Sequence, residues 1–110
     1  MAYNLDLAAK LRDQLSGTPG LSERKMFGGI AFMLHGNMAV GVNGDEIMVR
    51  VGPEAYANAV IQPNVRPFDM TGRPMRGWVV VTPAGYADPA ELAHWVGRGA
   101  SFAQTLPPKG

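Results

Sequence analysis

The 110-residue chain contains no cysteine and only two histidines, His35 and His94. The first absence excludes disulfides and thiolate metal sites and fits a cytoplasmic protein. No HExxH motif or paired-histidine spacing occurs, so no metal site is expected. No apolar run approaches the roughly 18–20 residues that a membrane span needs. The opening MAYNLDLAAKLRDQL is amphipathic and carries acids, unlike a signal peptide. There is no GxSxG and no thiol nucleophile. Gly28-Gly29 leads into a strand instead of a helix N-terminus, which argues for a bulge or close backbone approach over a phosphate loop. Asp45 and Glu46 fall in a turn, and Asp88 and Glu91 serve a helix start. No catalytic constellation emerges, and neither an enzyme nor a cofactor is expected. One-sided charge is missing too: ten basic residues face nine acidic ones, a net charge of +1. Proteins that live on duplex DNA usually have a pI above about 9 or a basic stripe. The overall balance leaves a local patch open.

What is present is a strong β signal. Between Glu23 and Val51, His35-Gly36-Asn37 and Asn43-Gly44-Asp45 separate three apolar runs, as in a β-meander with tight turns. Strands are expected at about 26–35, 38–43 and 46–51. A two-residue Gly36-Asn37 turn would place Met33 opposite Val40. A three-residue turn, His35 to Asn37 with Asn37 left-handed, would place Phe32 opposite Val40 and Ile30 opposite Val42. A slip of one residue turns a strand over. The three-residue turn is favoured, because it gathers Ile30, Phe32, Leu34, Val40, Val42, Ile47, Val49 and Val51 on one face. The opposite face then carries Ala31, Met33, Ala39, Gly41, Glu46, Met48 and Arg50. Small residues, two methionines and few charges do not suit a solvated face, so a helix or a partner chain should cover it.

Helices surround this core. Asn4 caps a first helix over 4–16, whose Leu7, Ala8, Leu11 and Leu15 form one stripe. Gly52-Pro53 opens a short helix running to about Val60. Residues 62–77 read as an ordered loop, and loops of that length are often functional. Trp78 to Thr82 is a buried strand. Asp88-Pro89-Ala90-Glu91 starts a last helix, in which Gly97 and Gly99 suggest a bend or a close crossing. The expectation is one α+β domain over residues 1–110, an antiparallel meander sheet of about four strands packed against N- and C-terminal helices plus a short middle helix.

Seven of the ten basic residues are Arg. Arg24 and Lys25 precede the meander, Arg50 ends its third strand, and Arg66, Arg73 and Arg76 sit in the long loop, interleaved with Phe68, Met70, Met75 and Trp78. These six cations are either a solvated set with local ion pairs or a site for an acidic protein, a nucleotide or a nucleic-acid backbone. Met33 and Met48 mark the candidate contact face of the sheet.

Arg24-Lys25-Met26-Phe27-Gly28-Gly29, then Met48-Val49-Arg50-Val51, Pro67-Phe68, and the closing Trp95 and Leu106-Pro107-Pro108-Lys109 resemble the N-terminal domain of the TfoX/Sxy family, over nearly the whole chain. The resemblance implies an α+β fold with an antiparallel sheet and a bacterial, cytoplasmic protein without known catalysis. Members are regulators of competence gene expression that act alongside another transcription factor. Full-length regulators carry a second, C-terminal domain, and this sequence reads as the first alone. The family motif contains no catalytic residues to transfer. The leading expectation is a non-enzymatic module of transcription regulation acting through protein contacts, with a transcription factor or with itself. The alternatives are direct nucleic-acid binding through the Arg/Lys patch, or a small anionic-ligand site near Phe68 and Trp78, for which the sequence offers little positive ground.

Overall fold

A computed structural model describes residues 3–26, 28–69 and 75–109. Phe27, Met70 and Arg73, all singled out in the sequence, lie outside the described residues. Helix α1 (Leu5–Leu15) starts where the Asn4 side chain accepts a hydrogen bond from the Leu7 N–H, at 3.0 Å. Its Leu7, Ala8, Leu11 and Leu15 are buried, as the stripe requires. Six strands follow: β1 (Leu21–Met26), β2 (Gly29–Leu34), β3 (Asn37–Asn43), β4 (Glu46–Arg50), β5 (Val65–Pro67) and β6 (Trp78–Val81). Helix α2 (Tyr56–Val60) lies between β4 and β5, and α3 (Pro89–Gln104) closes the fold. The strands form one antiparallel sheet in the order β1-β2-β3-β4-β6-β5.

The α+β class and the helix placement match the sequence reading, and the strand count rises from four to six. The two added strands, β1 and β5, are the edges of the sheet. On β1 the charges Glu23, Arg24 and Lys25 are exposed, which suits an edge that must not pair with other chains. The same charges remove the apolar alternation that marks a half-buried strand. β5 is three residues long and ends in Pro67, a residue that sheets confine to edges and bulges. The middle helix begins at Tyr56, later than the expected Pro53; Pro53 to Ala55 form turns before it.

The β2–β3 register pairs Phe32 with Val40 and Ile30 with Val42, as favoured. The turn that produces it differs. His35 and Gly36, both with positive φ (50° and 83°), make a two-residue turn that pairs Leu34 with Asn37. A register shift between Phe32 and Met33 then restores the core pairing. Asn37 is therefore a strand residue and not left-handed. Ala39 joins Leu34 and Ala103 on the helix side, and Met38 takes its place on the outer face beside Met33 and Met48.

Ile30, Phe32, Val40, Val42, Ile47 and Val49 form the inner core with α1 and α3. Each such side chain contributes about 1.5–3 kcal/mol on burial. Helix α3 begins as expected, with the Asp88 carboxylate accepting from the Ala90 N–H at 2.8 Å and Pro89 at its first position. It approaches β3 closely at Gly99, where a Cβ would sit 2.4 Å from the Ala39 carbonyl oxygen. Gly29 plays the same part between strands, with the Val42 carbonyl oxygen in the space of its missing Cβ. Arg12 of α1 clamps β1 through Glu23, with contacts of 2.6 and 2.8 Å. That hydrogen bond holds the Glu23 carboxyl below its usual range despite some desolvation. The pair is half-exposed, so it adds at most about 1 kcal/mol.

The two helix glycines give opposite expectations. Gly99→Ala should destabilise by about 1–3 kcal/mol, because overpacking against backbone outweighs the better helix propensity. Gly97 has open space around it, so Gly97→Ala should stabilise by about 0.5–1 kcal/mol. Urea denaturation of the two variants measures both signs; a destabilising Gly97→Ala with a neutral Gly99→Ala would contradict the packing.

Candidate functional site

All three helices pack on one face of the sheet, with Ala59 of α2 joining the same core as α1 and α3. The other face has its own apolar cluster of Ala31, Met38, Met48, Phe68 and Val80, flanked by Met26, Met33 and Trp78. Strand alternation puts them there: Met33 lies opposite Met38, and Met48 opposite both Gly41 and Val80. Gly41 and Ala31 are small, which lets long side chains lie flat over the strands. A Cβ at Gly41 would fall 2.8 Å from the Met38 methyl and 2.9 Å from the Met48 methyl.

Among the described residues the cover is partial. The chain returns over one end, with the Phe68 and Trp78 rings 6.0 Å apart and the Met75 N–H donating to the Phe68 carbonyl at 2.9 Å. Beside them lies an open groove of about 670 Å³. Its apolar lining is Met26, Met33, Met38, Met75, Phe68 and Trp78, and its rim carries Arg24, Arg50 and Lys109. Met48 is almost fully buried beneath, at 2% exposure, while Met75 reaches 38%. Met33, one of the two methionines singled out in the sequence, lines the groove; Met48 supports it from below.

The six candidate cations do not converge as a set. Arg24 and Arg50 reach the groove from β1 and β4. Arg50 lies over the Trp78 ring at 5.1 Å and near the Phe102 ring at 5.6 Å. Partial burial lowers its pKa from the ordinary guanidinium value, and it stays charged because that value is so high. Lys25 pairs with the core residue Ile30, so it projects to the face opposite Arg24. Arg66 is paired with Glu46 through two contacts of 2.8 Å, in a separate depression beside Asp69. Arg76 is exposed and lies outside the groove lining. Arg73 lies outside the described residues.

Met26, Met38 and Lys109 line the groove without being candidate site residues in the sequence; Met38 escapes that reading because of the bulge and Lys109 because of a long-range tether. The Lys109 N–H donates to the His35 carbonyl at 2.7 Å, and the Asn37 side-chain amide donates to the Pro107 carbonyl at 2.9 Å. Asn37 is the one buried polar side chain among the described residues, at 2% exposure. The closing Leu-Pro-Pro-Lys is thereby strapped across the β2–β3 turn, and Gly36 accommodates it: a Cβ there would meet Lys109 at 2.7 Å.

Little else invites chemistry. His94 packs edge-on to Trp95 at 5.3 Å, and the His35 ring covers Gly20. Among the described residues no group of three His, Asp or Glu stands close enough to hold a metal. No helix among them is long and apolar enough to cross a membrane.

Removing the Asn37 amide should loosen the strap. Asn37→Ala should destabilise by about 0.5–1.5 kcal/mol and speed hydrogen exchange of the Lys109 amide. Unchanged exchange at Lys109 would show that Asn37 does not hold the segment.

Among known proteins, no match was found in the curated sequences or in the solved structures. The family of the TfoX N-terminal domain does match, over residues 13–103. That span runs from within α1 to near the end of α3 and takes in the whole sheet. By that match, the chain belongs to the TfoX N-terminal domain family.

Proposed function

We propose that this domain is a non-enzymatic, cytoplasmic regulatory module that influences transcription by binding another protein, and that the outer-face groove is its contact surface. Family membership supports the regulatory part. The contact surface rests on one observation: the sheet face opposite the helices bears a methionine and aromatic lining that the described residues leave partly open. Methionine-lined surfaces adapt to partner side chains at low cost, because the thioether chain is flexible and polarisable. Small molecules gain most from enclosed, well-formed pockets, whereas this groove is partly open among the described residues.

The distribution of cations favours a protein partner over nucleic acid. A backbone-binding surface gains affinity from several unneutralised Lys and Arg along one track. Here Arg66 is neutralised by Glu46 and Lys25 lies on the opposite face.

The test is a transcript comparison in the cell that encodes the protein. Deleting the gene should change a defined set of transcripts. The intact chain should restore them, and a Met33→Glu chain of unaltered thermal stability should not. No transcript change on deletion would contradict the regulatory reading. Full restoration by Met33→Glu would remove the groove from it.

A further inference from the structure

Resting on that regulatory reading, we infer that the groove receives an acidic, amphipathic segment of the partner protein, with apolar side chains on the methionine floor and carboxylates on the cationic rim. Charge complementarity points to this occupant. Three cations from three parts of the chain, Arg24 on β1, Arg50 at the end of β4 and Lys109 on the C-terminal strap, surround one apolar floor. Among the described residues no carboxylate lines the groove, and none pairs with these three side chains. Glu46 and Asp69 line a separate depression with Arg66. A chain of net charge +1 does not yield such a rim through general basicity. Two arginines elsewhere, Arg12 and Arg66, are paired with carboxylates, whereas these three cations line the apolar floor.

The rim is also pre-shaped. Cation–π contacts with Trp78 and Phe102 hold the Arg50 guanidinium at one end, and a held guanidinium binds carboxylates in two-pronged fashion with little further ordering. The strap fixes the backbone of Lys109. A partner offering only apolar groups would leave these cations partly desolvated and unpaired, which is unfavourable. A purely acidic partner would gain nothing from the floor. An amphipathic acidic segment satisfies both, in the way an amphipathic helix is read by a hydrophobic groove through anchors one turn apart.

The probe is a synthetic helix-forming peptide of about 16 residues, with Leu and Phe on one face and Glu on its flanks, alongside a version with Lys for every Glu. Methionine-methyl NMR spectra of the full chain report the floor, and Trp78 fluorescence in a Trp95→Phe background reports the end. The acidic peptide should shift the Met26, Met33, Met38 and Met75 methyls and the Trp78 emission, more weakly at high salt. The basic peptide should bind at least about tenfold more weakly, and the double variant Arg24→Glu, Lys109→Glu should lose about tenfold for the acidic peptide. Both of those side chains are exposed, so the fold should survive, as thermal melts would check.

Equal binding of the two peptides, or none, would overturn the proposal. So would shifts of the same methyls by a duplex oligonucleotide and not by peptide. Concentration-dependent protection without any peptide would replace the partner with a second copy of the chain. The transcript comparison separates the two levels of failure. If Met33→Glu abolishes regulation but no acidic peptide binds, the occupant is wrong and the regulatory reading stands. If the acidic peptide binds while deletion leaves transcripts unchanged, the occupant stands and the regulatory reading falls.

Discussion

The outer face depends on the extra residue that β3 places against β2. The two-residue His35-Gly36 turn sets one register, with Leu34 against Asn37 and Met33 against Met38. Carried along the strands, that register would turn Ala39 and Gly41 toward the helices and expel Val40 and Val42, since side chains alternate with period two. The bulge at Ala39 prevents this. It keeps Met38 outside with Met33, lets Gly99 of α3 settle on the Ala39 carbonyl, and returns Val40 and Val42 to the core. One local irregularity thus serves both faces, giving the helices a β-branched surface and the groove its methionines.

Much of the helix-side core was legible because burial there is one-sided and regular. Val40, Val42, Ile47 and Val49 show the alternation of a half-buried strand, and all four are buried. The caps at Asn4 and Asp88 were readable from local chemistry alone. The turn was not, because two compositions of turn and strand give the same pairing: three turn residues, or two turn residues and a bulge. Sequence preference chose Asn37 for the left-handed position, whereas the chain puts His35 there. Asn37 is instead held in the strand by its bond to Pro107, a partner seventy positions away that no local pattern reveals.

The candidate site was legible only in outline. Met33 and Met48 are correctly placed on a face of unusual character, and Arg24 and Arg50 reach the groove. Their former companions separate for simple reasons. Adjacent strand residues point to opposite faces, so Arg24 and Lys25 could never serve one surface from a regular β1. Arg66 reaches Glu46 across β6, which inserts between β4 and β5, a crossover that sequence spacing does not encode. Two of the sequence runs that carried the resemblance acquire a structural meaning in this arrangement. The basic pair guards an edge strand, and the Leu-Pro-Pro-Lys ending carries a cation to the groove rim.

This sheet has two apolar faces, one packed against helices and one that the described residues leave partly open. The most direct measurement is paramagnetic broadening of the methionine methyl signals by a soluble, neutral gadolinium chelate. Strong broadening at Met75, Met26 and Met33, with Met48 spared, is the expected result. Uniform protection of all four would show the outer face to be covered, and would contradict an open docking groove.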